Sequence, residues 1–128
     1  MAIDSFIEST LVQTAVYWGN PVKDGYGHFT YDAPIEISCR WEGKGQVLKM
    51  YDAKGNIFEY IGIVYVNQDL DIDGCLFLGT LDDLDSGTYD EPDLQDNVYP
   101  IKQFENLPAL RSTSVFLKKA YLTLWQYR

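Results

Sequence analysis

One histidine, two cysteines and ten basic residues among 128 positions leave little material for several kinds of chemistry. With His28 alone, a histidine-based metal centre has no second imidazole, and a hydrolytic triad would depend wholly on that one side chain. Cys39 and Cys75 fall within apolar, strand-like patterns, which reads as buried free thiols; a disulfide between them would need facing Cβ atoms. There is no Gly-x-Ser-x-Gly, no phosphate loop and no dinucleotide fingerprint. Apolar runs stop far short of membrane-spanning length, and Met1 to Thr10 carries acids where a secretory signal has a basic region. The expectation is a chain made in a cytoplasm, with no membrane partner, no cofactor and no enzymatic activity.

Positive charge is the other scarcity. Nineteen acidic residues against ten basic ones give a net charge of −9 and a pI near 4.3. A field of that sign repels polyanions, and the lysines and arginines form no long basic run, so nucleic-acid binding by phosphate neutralisation is not expected. An acidic surface does suit a passage to which DNA must not stick.

Aromatic residues are plentiful: they make up 15% of the chain and include ten tyrosines. That favours sheet, and the length suits one domain, residues 1–128, that buries about two thirds of the surface its unfolded form exposes. Strand-like stretches run through Leu11 to Trp18, Pro34 to Glu42, Gln46 to Tyr51, Ile57 to Asn67, Cys75 to Thr80, Val98 to Glu105 and Thr113 to Tyr127. The second alternates most cleanly, with Ile35, Ile37, Cys39 and Trp41 on the face expected to be buried. Gly62 inside the fourth suggests a bulge or bend that curls a sheet. The last stretch fits either helical or alternating periodicity, and its β-rich end favours strand. Residues 1–10 suggest an N-terminal arm with a short helical turn, and 81–97 an acidic surface loop with partial disorder. With no helix able to cover a sheet, these stretches predict an all-β fold: a small closed or partly open antiparallel β-barrel of about seven strands with two long loops.

Asp69, Asp71, Asp73 and Gly74 match the opening of a calcium loop, but Thr80 stands where the bidentate Glu belongs and the flanks are strands, so a solvated acidic turn is the favoured reading. Paired carboxylates of the glycosidase kind are not defined by acids this numerous. Tyr17, Trp18, Tyr26, Phe29, Tyr31 and Trp41 raise the question of a sugar-binding face or a protein interface. Of these, Tyr26, Phe29 and Tyr31, with His28, lie in a long glycine-rich loop. Burial within a small domain is harder to arrange there, so contact with another subunit or a channel is expected.

Gln13-Thr-Ala-Val-Tyr-Trp-Gly-Asn-Pro, Asp24-Gly-Tyr-Gly, Pro34-Ile-Glu-Ile-Ser-Cys-Arg-Trp-Glu42, Val64-Tyr-Val, Leu76-Phe-Leu-Gly-Thr-Leu81 and Phe116-Leu-Lys-Lys-Ala-Tyr-Leu122 resemble the head-closure, or stopper, proteins of tailed bacteriophages. The resemblance implies a virion protein of the neck, assembled in the bacterial cytoplasm as a dodecameric or hexameric ring, with portal and adaptor on one side and tail proteins on the other. It implies an extended loop that retains packaged DNA by steric closure, for which 18–33 and 43–56 are the candidates. The readings set beside it are a carbohydrate- or ligand-binding barrel module and a neighbouring tail-completion component.

Overall fold

The computed structural model describes residues 11–52, 54–108 and 116–125. The expected N-terminal arm and parts of the last expected strand lie outside the described residues. Among the described residues there are eight strands: β1 (Gln13–Trp18), β2 (Val22–Lys23), β3 (Phe29–Thr30), β4 (Ile35–Tyr51), β5 (Ile57–Val66), β6 (Cys75–Leu78), β7 (Val98–Pro108) and β8 (Phe116–Leu122). Six close into an antiparallel barrel in the order β1-β4-β5-β8-β7-β6, while β2 and β3 form a separate hairpin. Closure pairs the edges of the barrel wall, as the dense β-branched and aromatic patterning implied.

Seven expected strands become six in the barrel because the second and third are one. β4 runs 17 residues through Gly43 and Gly45 without ending. Its register against β5 slips between Gly43 and Leu48, so that this whole stretch faces only Gly62 to Tyr60. The surplus therefore lies on β4, not at Gly62 where the sequence placed the bend. Gly45 takes a φ of +70°, and a Cβ on Gly62 would lie 3.1 Å from the Glu42 carbonyl, so these glycines let the two backbones pass.

Beyond the bulge the hairpin leaves the barrel. β1 pairs with β4 only as far as Cys39, and β8 pairs with β5 only from Gly62 onward. Among the described residues, 48–51 and 57–60 thus pair only with each other in the sheet, forming a two-stranded arm. Its inner face, Met50, Phe58 and Tyr60, packs towards Tyr121, whose ring meets Phe58 and Tyr60 edge-on at 5.5 and 5.2 Å.

The barrel interior is filled from alternate positions: Ala15, Tyr17, Ile37, Cys39, Val64, Val66, Leu76, Ile101, Ala120 and Leu122, with Leu70 closing one end. Ile35, expected inward with this set, is half exposed at 50%, because it pairs with Tyr17 at the rim where the wall ends. β8 is a strand, with Ala120 and Leu122 inward and Tyr121 buried on the other side. A second cluster lies outside the wall, where Val16, Trp18, Cys75 and Val98 are covered by Tyr31, Phe77, Leu81, Leu84 and Trp125. This explains why Ala15-Val-Tyr-Trp18 is apolar throughout: both of its faces are covered. Cys39 and Cys75 belong to different clusters, and both are buried thiols not joined in a disulfide.

The cover is the acidic segment, which was expected to be a partly disordered loop. It is instead a strap built from three 3-10 turns, Leu81–Asp83, Ser86–Thr88 and Pro92–Leu94. Buried Gln95 ties it together, donating from Nε2 to the carbonyls of Asp85 and Thr88 at 2.9 Å and accepting from the Asp85 amide at 3.0 Å. The acids face solvent while Leu81, Leu84 and Pro92 turn in, so charge on one side and apolar contact on the other coexist in one segment.

Candidate functional site

The four loop residues singled out by sequence lie on the β2–β3 hairpin, but not as one patch. Asp24 organises its tip: Oδ1 accepts from the Tyr26 amide at 2.8 Å and the His28 amide at 2.9 Å, and Gly27 supplies the left-handed φ of +81°. These amides, His28 first and then Tyr26, hold the Asp24 carboxyl below its usual pKa. The turn presents Tyr26 at 98% exposure with His28 beside it, also exposed. Phe29 and Tyr31 are part-buried at the base, their ring centroids 6.3 Å apart, with the Lys23 ammonium 5.9 Å from the Phe29 centroid. Tyr31 leans on the outer apolar cluster of its own chain.

Between the hairpin base and the strap runs a groove of about 240 Å³. Phe29, Tyr31 and Pro92 provide its apolar surface, and Asp90, Glu91 and Asp93 its charge. The strap side is fixed to the barrel by two hydrogen bonds. Trp18 Nε1 donates to the Tyr89 carbonyl at 3.1 Å, and the Leu81 amide donates to Glu36 Oε2 at 2.8 Å, joining the strap to β1 and β4. Sequence reasoning found the hairpin half of this groove and missed the strap half. The available signal was the placing of Leu81, Leu84, Tyr89 and Pro92 among the acids.

The calcium-like turn serves the backbone. Asp69 pairs with the Lys118 ammonium at 2.9 Å, and this contact holds its carboxyl below the usual pKa. Asp71 Oδ2 accepts from the Asn20 amide at 2.8 Å and the Tyr17 hydroxyl at 3.2 Å, while the Asp71 amide donates back to that hydroxyl at 2.7 Å. Asp73 takes a φ of +73°. Among the described residues, no three His, Cys, Asp or Glu side chains come together as a metal site. The Tyr17 phenol is pushed up to about 12, chiefly by burial.

The six aromatics weighed as a sugar platform are dispersed. Tyr17 and Trp18 are buried, whereas Trp41 meets Tyr99, ring centroids 6.5 Å apart, at a second cavity of about 350 Å³. That cavity opens where the β4 bulge parts from β5, between Gly43, Gly45, Gln46 and Gly62.

No protein-family model and no curated protein matches this chain.

Proposed function

We propose that this chain is a structural protein of a tailed-phage neck, forming a ring between portal or adaptor and tail and helping to close the DNA channel. The observation that carries the reading is a closed barrel with two projections at opposite ends. The β2–β3 hairpin leaves where Trp18 and Ile35 lie, and the β4–β5 arm leaves from the other end of the same wall. A ring subunit needs a body that keeps its shape and loops that reach its neighbours, and rigid walls with projecting hairpins meet that need. The sequence likeness to head-closure proteins supports the same reading. Acids along the strap would keep DNA from adhering, so closure is steric, and the exposed Tyr26 tip and the β4–β5 arm are the two candidate segments for the channel. No cofactor and no catalysis enter this role.

Deleting the gene from its phage tests the reading. Filled or leaking heads without joined tails are expected, together with the protein at the neck of wild-type particles. Normal infectious virions from the deletion would sink it.

The Trp41–Tyr99 cavity favours one second reading, a barrel that binds a small carbohydrate or other ligand at its mouth. Specific binding by the isolated chain in a glycan screen, abolished by Trp41→Ala, would support that reading instead.

A further inference from the structure

Among the described residues, one face of the arm packs towards Tyr121 and the other is largely exposed. Val47, Lys49 and Tyr51 alternate along β4 on the face opposite Met50, and Ile57 lies across from Tyr51 on the same side. Tyr51 and Ile57 are 67% and 58% exposed, while Val47, 42% exposed, lines the Trp41–Tyr99 cavity at the base of the arm. Two large apolar side chains paired across a projecting hairpin mark a contact surface.

Charge identifies what would cover it. Between 43 and 60 the chain has three lysines and two acids, Asp52 and Glu59, a small excess of base in a strongly acidic protein. The Asp52 carboxylate already accepts from the amides of Lys54 and Asn56 at 2.9 Å. Glu59 lies directly across from Lys49 and is half-buried, which leaves Lys54 at the turn as the more available cation. The strap is the converse, with seven acids and no base from 79 to 97. Its groove pairs that charge with the apolar surface of Phe29, Tyr31 and Pro92.

In the barrel order, β4 and β5 stand across from β6 and β7, whose outer side carries the strap cluster. Arm and groove are therefore on opposite sides of one molecule, and neither satisfies the other within a copy. We propose that copies of this chain join head to tail, the outer face of one copy's β4–β5 arm seating in the groove between hairpin and strap of the next. Tyr51 and Ile57 meet the aromatic surface, and Lys49 and Lys54 meet Asp90, Glu91 and Asp93. Such a contact is heterologous, so repetition closes a ring or grows a filament according to the rotation per copy. It deepens the neck reading, and only its closure into a ring rests on that reading.

Sedimentation velocity of the full chain over a range of concentration and salt tests the contact. Two exposed charge reversals are compared with the wild type, K49E with K54E on the arm and D90K with E91K on the groove. The wild type is expected to associate and to weaken as salt screens the pairs. Each double variant should associate about tenfold or more weakly while still melting in one cooperative transition, and an equimolar mixture of the two should recover assembly. A wild type that stays monomeric to its solubility limit overturns the proposal. So does assembly that ignores either reversal, or a mixture that stays apart. Assembly through this contact by a protein absent from virions would remove the neck reading and leave the contact. A neck protein indifferent to the reversals would do the opposite.

Discussion

Tyr17 shows how one residue ties a turn to a wall. Its ring fills the barrel, and its hydroxyl both donates to and accepts from Asp71, fixing the 69–74 turn over one end. Burial raises its pKa to about 12 while the unfolded phenol ionises near 10, so the folded state holds the proton more tightly. Stability from this group is complete below pH 10 and is lost as pH rises towards 12. Denaturant titrations across that range should therefore show falling stability, and Tyr17→Phe should flatten the fall. A second residue-scale outcome concerns Gly74, where an added Cβ would sit 2.8 Å from the Trp18 carbonyl and 2.9 Å from that of Asp71. Both neighbours are backbone and cannot swing aside, so Gly74→Ala should cost about 1–3 kcal/mol by chemical denaturation. Burial also pushes the Cys39 thiol up to about 11, and Cys75 is fully buried, so a thiol reagent should label neither until denaturant is added. Alternation in the sequence placed Cys39 inward correctly. It could not place Ile35, since the rim at which a strand stops being covered depends on where its neighbours end.

Elements were legible where their pattern was local. β1, β5, β6 and β8 follow from β-branched and aromatic runs between turn residues, whereas the fusion across Gly43 and Gly45 did not. Glycine spacing that reads as a break becomes a bulge once Gly62 on the partner strand allows close approach. The strap was hidden for a different reason: its acids dominate the composition, and the few apolar residues that hold it have no period. Its order rests heavily on Gln95, whose amide ties Asp85 and Thr88. Gln95→Ala should lower stability by about 1–3 kcal/mol through the groups left unpaired. It should also open 82–94 to proteolysis while the barrel wall remains protected, a difference that hydrogen exchange resolves segment by segment.

At the scale of the whole molecule, the all-β class and the barrel were legible from composition and strand spacing, but strand order was not. β1 waits for β4 and β6, and β5 for β8, pairings between segments far apart in the chain. Folding dominated by such closures is slow, so stopped-flow refolding should fall in the millisecond-to-second range. The groove was illegible for the same reason, because it joins two segments that meet only after the wall has closed. β4 carries the remaining consequence. A single 17-residue strand runs from Ile35, beside the base of the β2–β3 hairpin, out to Tyr51 at the tip of the arm. Hairpin base and arm tip are thus two ends of one backbone, with the Gly43–Leu48 bulge as the hinge that re-aims the tip while Ile35 to Cys39 stay paired in the wall.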